Sequence, residues 1–244
     1  MNALVVIFPA MGVPASYYGR FAASLQGQGF DVHVAELVGS SYGELADHVG
    51  SVLADQRMPG RPTVVLGHSL GGQVAAVHLA RSGEKIDGLV FIAVGIPYWR
   101  VYRHRGLGVL SFTQGINAVS FLLRHWPGWG FGGRQPRGVI RDWAYTGRHG
   151  SFPPYLHADF AAVDVDLLSI TVEADQYTPP ATTGFLVRKL ANARVTRARL
   201  TAADAGMPLD HFKWVKAGAA IGPILKNWLA SKGSLETTAE RVDG

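Results

Sequence analysis

Gly67-His68-Ser69-Leu70-Gly71-Gly72, entered from Thr63-Val64-Val65-Leu66 and left through Gln73-Val74-Ala75-Ala76-Val77-His78-Leu79-Ala80, is the stretch that decides the fold. A short apolar strand runs into a tight glycine-flanked turn and then into a helix, with a serine at the apex. A serine held there has its hydroxyl exposed above the sheet. It also sits at a helix N-terminus, where backbone N–H groups favour developing negative charge. The flanking glycines permit the sharp turn and the close packing of helix on strand. The plainer alternative is an N-cap serine with incidental glycines.

Composition frames that motif. The 244 residues suit one α/β domain, or one domain carrying a large insertion. Hydrophobic residues make up 48% and charged residues 17%, ample for a sizeable core. No apolar run is expected to reach the roughly 18–20 residues that a membrane span needs. Met1-Asn2 leads straight into an apolar strand, without the basic region and cleavage site of a secretion signal. With no cysteine in the chain, disulfides and thiolate chemistry are excluded, and a reduced, cytoplasmic setting is expected.

Around the motif the chain alternates. Strands are expected at 3–8, 31–36, 63–67 and 88–94, with helices at 16–28, from Ser41 to about 56, and from Ser69 to about 81–83. Ser41-Tyr42-Gly43-Glu44 has the form of a capping box. Strand 167–173, helix 180–191, strand 194–200 and a last helix at about 212–231 resume the pattern, ahead of a polar tail. Alternation at this spacing predicts a parallel, doubly wound sheet covered on both faces, with its site at the carboxyl ends of the strands. Residues 1–96 and 163–232 read as the core, 97–162 as an inserted lid, and 233–244 as a flexible tail.

The lid has its own character. It carries four of the chain's six tryptophans, the glycine-rich run 128–133 and a helical stretch near 107–123. Tyr98, Trp99, Trp126 and Trp143 are its candidate pocket residues, because acyl pockets are largely apolar with few polar contacts. It also holds eight arginines against only Asp142 and Asp159. A solvated basic surface is the plainer account; an anionic substrate or peripheral contact with an anionic membrane is the functional one.

A nucleophilic Ser69 needs a base and an orienting acid, which in chain order follow as Asp or Glu and then His. Of the nine histidines, only His211 lies beyond strand 167–173, in the loop before the last helix. Asp175 falls just past the end of that strand, whereas Glu173 still lies within it. Asp204 and Asp210, on the loop of His211, are alternatives.

With these residues in place, the chain resembles the α/β-hydrolase superfamily over nearly its whole length. It is most similar to small bacterial serine hydrolases whose first strand is followed by a P-A-x-G-x-P-x-x-Y-Y segment, here Pro9-Ala10-Met11-Gly12-Val13-Pro14-Ala15-Ser16-Tyr17-Tyr18. Asp142-Trp143 matches a D-W pair in their lids. Their final Gly-His-Phe is Asp210-His211-Phe212 here, which keeps the histidine and adds a carboxylate beside it. The resemblance implies Ser69 as nucleophile, Asp175 as acid and His211 as base, with the N–H groups of Met11 and Leu70 as oxyanion hole.

Other motifs carry less. The run 128–133 follows no strand and lacks a G-K-[ST] ending, so it is not read as a phosphate loop. No metal-ligand spacing, cofactor motif or nucleic-acid module accompanies the basic charge, and nothing bears on oligomeric state. The expected activity is hydrolysis of a small or medium apolar ester or thioester. Acyl transfer, C–C bond hydrolysis, peptidase action on the same triad and a non-catalytic small-ligand binder stay open.

Overall fold

The apolar runs become strands buried from both faces, as parallel sheets require. The computed structural model describes residues 2–240. In chain order the strands are β1 (Leu4–Phe8), β2 (Asp31–Val34), β3 (Thr63–His68) and β4 (Gly88–Ile92), then β5 (His125–Trp126), β6 (Gln135–Pro136), β7 (Asp166–Val172) and β8 (Arg194–Leu200). Six of them form one sheet in the order β2-β1-β3-β4-β7-β8, with every pairing parallel. β5 and β6 pair antiparallel within the lid. The chain leaves β1 towards β2 and returns on the other side as β3, so the topological switch lies between β1 and β3. Open sheets of this kind bind ligands at that crevice.

The helices are α1 (Gly19–Gly27), α2 (Tyr42–Gln56), α3 (Leu70–Ser82), α4 (Gly106–Leu123), α5 (Arg137–His149), α6 (Pro180–Val187), α7 (Ala202–Ala205) and α8 (Gly218–Glu240). The twofold alternation of β1 divides the core. Val5 and Ile7 pack with Phe21 and Leu25 of α1 and Ile221 and Leu225 of α8. Val6 and Phe8 face the other way, into Leu45 and Val49 of α2 and Val74 and Val77 of α3. Each such buried side chain contributes roughly 1.5–3 kcal/mol relative to exposure.

Local chemistry sets the helix ends. The Ser41 hydroxyl accepts from the Glu44 N–H at 3.3 Å, as the capping box predicts. The returning Glu44 carboxylate takes the N–H and hydroxyl of Ser40, one residue earlier than the motif implies. α3 ends at Gly83, in the left-handed conformation at φ +66.

Several expectations change. The helix expected at 16–28 opens as a 3-10 turn, Ala15–Tyr18, before α1. α6 stops at Val187 instead of about 191. The last helix is α8, which starts after a 3-10 turn at Lys213–Lys216 and runs to Glu240; 241–244 lie outside the described residues. The lid has a second helix, α5, that composition concealed. The stretch Trp99–Leu123 is long and apolar enough to cross a bilayer by length and composition, contrary to the expectation that none is. It is broken at Arg103, where φ is +54, and its helical part α4 packs on α5 over the sheet's carboxyl edge.

The lid is anchored through Asp142, a buried carboxylate on α5. It accepts from the Tyr42 N–H at the start of α2 (3.0 Å), from the Tyr155 hydroxyl, and from the Arg141 guanidinium at 2.8 Å. A carboxylate at a helix N-terminus is favoured by the helix dipole.

The glycines of the turn are required by contact. A Cβ on Gly67 would lie 2.2 Å from Gly72 Cα, and one on Gly71 would lie 2.1 Å from the Phe8 carbonyl oxygen. Gly71→Ala is therefore expected to lower stability in urea unfolding by about 2–3 kcal/mol, since backbone must move. Gly83→Ala, left-handed but in open space, should cost only about 1 kcal/mol. Equal losses would contradict the contact argument.

Candidate active site

Ser69 joins β3 to α3 with φ +51 and ψ −116, a conformation that L residues rarely adopt. Such strain costs on the order of 1–3 kcal/mol and persists only where surrounding packing enforces it. Here the glycine contacts enforce it, and the hydroxyl is left on the wall of a cavity under the lid. Leu70 is the first residue of α3, so its N–H has no intrahelical acceptor. Met11, in the turn after β1, lines the same cavity as Ser69.

His211 reaches this cavity from the loop after α7. Its Nδ1 lies 2.9 Å from Asp175 Oδ2, and both side chains are buried. Asp175 occupies the turn after β7, beside Ala174 at φ +60. Its carboxylate also accepts from the N–H groups of Tyr177 (2.8 Å) and Thr178 (2.9 Å) and from the Thr178 hydroxyl. Burial would raise its pKa. The hydrogen bond and charge of His211 and the donors of Thr178 outweigh burial, and the pKa lies below the usual carboxylate value. Asp175 is thus a fixed anion that orients His211 with Nε2 free of it.

The other candidate acids are engaged elsewhere. Glu173 accepts from the Ala202 N–H at 2.7 Å, and Asp204 closes a capping box with Thr201. Asp210, the carboxylate beside His211 in sequence, accepts from the N–H groups of Phe212 and Lys213 and pairs with the Lys213 ammonium at 2.9 Å.

Two residues that the sequence reading gave no role join the three loops. Tyr18 accepts from the Ala10 N–H at 3.0 Å, and its hydroxyl pairs with His68 Nδ1, 2.6 Å away. Burial, reinforced by the charge of His211, pushes the pKa of His68 far below the ordinary value and keeps it neutral. The His68 ring lies 4.9 Å from that of His211 and 5.0 Å from that of Trp214. The signal was present in the second tyrosine of the Pro9–Tyr18 segment and in the histidine before Ser69.

The cavity holds about 500 Å³. Ala10, Met11, Ser69 and His211 form its base; Val109 and Phe112 of α4, Phe131 and Trp143 form apolar lid walls. Of the four aromatic residues expected there, only Trp143 lines it. Trp126 is buried within the lid, its indole N–H donating to the Phe131 carbonyl at 2.7 Å. Tyr98 packs against Phe185, and Trp99 lies under the Arg100 guanidinium. Those three support the lid from behind the cavity wall. The described lining contains no carboxylate, and Arg105 is among it. Among the described residues no group of three or more His, Asp or Glu converges as a metal cradle.

Comparison with known proteins bears on this arrangement. A family model described as serine aminopeptidase, S33, matches residues 1–145, which include the elbow and most of the lid. No curated protein matches. Among solved structures, monoacylglycerol lipase of Paleococcus ferrophilus superposes with TM-score 0.61 at 16% identity, over 95% of this chain and 96% of that one. Polyneuridine aldehyde esterase superposes with TM-score 0.59 at 14% identity, over 93% and 99%. A haloalkane dehalogenase variant from Bradyrhizobium elkanii superposes equally, with TM-score 0.59 at 13% identity, over 98% and 92%. Likeness at this level concerns the fold.

Two measurements test the interior of the site. Because the folded pKa of Asp175 is depressed, its contribution to stability is present above the ordinary carboxylate pKa of about 4 and is lost as pH falls below that towards the folded value. Urea midpoints should thus fall more steeply below about pH 4 for wild type than for Asp175→Asn; parallel curves would contradict the assignment. Tyr18→Phe, which leaves the buried His68 Nδ1 unpaired, should cost about 1–3 kcal/mol.

Proposed function

Because the chain belongs to the serine aminopeptidase S33 family of α/β-hydrolases, we propose that it hydrolyses small or medium apolar esters or thioesters through an acyl-enzyme on Ser69. The observation that supports this reading is the cavity beside Ser69 and His211, whose described lining is apolar on its lid side at Val109, Phe112, Phe131 and Trp143 and holds no carboxylate. An aminopeptidase site must hold a protonated α-amine, which a buried carboxylate does well and a guanidinium opposes. Arg105 on the wall therefore favours an acyl substrate over an amino-terminal peptide.

The proposed reaction assigns each of these residues a step. The Ser69 hydroxyl attacks the acyl carbonyl while His211 Nε2 takes its proton. Asp175, on the opposite ring nitrogen, stabilises the imidazolium that forms. The oxyanion develops beside the N–H groups of Leu70 and Met11, donors of a kind worth a few kcal/mol each. Collapse breaks the bond to the alkoxide or thiolate, which leaves with the proton from His211. A water molecule, deprotonated by His211, then attacks the acyl-Ser69 ester and releases the acid.

Wild-type protein is expected to react with a fluorophosphonate probe and Ser69→Ala is not, with turnover of p-nitrophenyl acyl esters lower in the variant by at least about 10⁴-fold. Acyl esters should be cleaved in preference to aminoacyl p-nitroanilides. Equal labelling of both proteins, or the reverse preference, would overturn the reading.

A further inference from the structure

α4 has two faces. Gly108, Val109, Phe112 and Thr113 line the cavity, while Thr113, Ile116 and Ser120 are buried against the lid. The opposite stripe points to solvent: Leu107, Ser111, Gly115, Ala118 and Leu122 recur at helical spacing and are all exposed. Leu107 is 70% and Leu122 77% exposed, and the neighbouring Phe121 and Trp129 are exposed as well. A helix face turned to water normally carries charges. This one carries none, because α4 has no Asp, Glu, Lys or Arg over its 18 residues.

The charge lies around the stripe and has one sign. From 97 to 141 the chain contains seven arginines and no Asp, Glu or Lys. Arg103 and Arg105 precede the first turn of α4, and Arg124 caps its end. The Arg137 guanidinium lies 4.4 Å from the Phe121 ring. All seven are exposed, and among the described residues only Arg141 pairs with an acid, Asp142.

We propose that this face docks the protein on an anionic lipid bilayer, the stripe of α4 entering the interface and the arginines meeting lipid headgroups. An amphipathic surface with an apolar stripe and a basic border binds membranes through buried area plus attraction to anionic lipid. Exposed Trp129 suits the headgroup level. A second copy of the chain fits poorly, because a symmetric contact through this face would set one arginine border against another. Docking stands independently of the catalytic reading. If that reading holds, the one helix separates bilayer from cavity, and the substrate class narrows to acyl esters that partition into lipid.

The test is co-sedimentation of the full chain with phosphatidylcholine vesicles and with vesicles that also contain phosphatidylglycerol. Wild type is expected to partition onto the anionic vesicles and to be released as ionic strength rises to about 0.5 M. Leu107→Glu/Leu122→Glu should weaken partition by at least about tenfold. Arg134→Glu/Arg137→Glu, whose new acids suit the start of α5, should weaken it as well. Unchanged circular dichroism melts establish that the variants are folded. Absence of wild-type protein from the anionic pellet, equal binding to both vesicle types, or unaltered binding by both variants would overturn the proposal. So would a lipid-free dimer, seen by sedimentation velocity, that the leucine variant dissociates. None of these readouts requires catalysis, so a failed hydrolysis assay leaves them intact.

Discussion

The approach of α3 to β1 is the constraint on which the site depends. At Gly71 the helix backbone comes so close to the Phe8 carbonyl that a methyl group would overlap it. That contact forces the turn at Ser69 into positive φ, lifting the hydroxyl above the strand ends. It also sets the start of α3 against the backbone of Phe8 and Pro9, at the end of β1. Tyr18 and His68 then tie the same two loops together from beneath, through a buried neutral pair whose ring rests against His211. Strain at one residue is thus held by contacts on several sides.

The lid is bound to this framework by a different kind of force. Asp142 is a buried carboxylate whose three donors come from α2, from α5 itself and from Tyr155. Removing such donors singly would leave charge uncompensated in a buried place. From Tyr42 the connection continues inward, since its hydroxyl donates to Gln73 Oε1 and the Gln73 amide donates to the Gly95 carbonyl. Gln73 lines the cavity. The anchor of the lid and the floor of the pocket therefore share one hydrogen-bonded chain.

How much of this could be read from sequence depends on how local the cause is. The strands were legible because burial on both faces demands continuous apolar runs, and the turn at Ser69 because glycine contacts leave no other residue type. Asp175 and His211 were chosen by strand order and by the family resemblance, and the structure sets them 2.9 Å apart. α5 was missed although Val139, Ile140, Trp143 and Ala144 recur at helical spacing. That periodicity is marked, but the segment was read by its tryptophans, glycines and arginines instead of by its spacing, and α5 packs on α4. The aromatic pocket residues were misassigned for a related reason. Composition says that Tyr98, Trp99 and Trp126 must be covered by something, and only tertiary contact decides whether that something is substrate or lid.

The division between core and lid also explains why the fold leaves chemistry open. The elbow offers one exposed atom at a strained turn, and the core around it serves whichever nucleophile stands there. In this chain the nucleophile candidate is a serine with a buried histidine–carboxylate pair behind it, an arrangement suited to acyl chemistry. The walls around Ser69 come from lid and core alike, with Gln73, Gln176, Tyr177 and Thr178 of the core beside the lid residues. Their described lining holds no carboxylate and includes Arg105. A cationic group finds no partner there, although the exposed Arg105 opposes it only through a solvent-screened charge. The proposed preference for an apolar acyl chain rests on Val109, Phe112, Phe131 and Trp143, the apolar side chains that the lid turns inward.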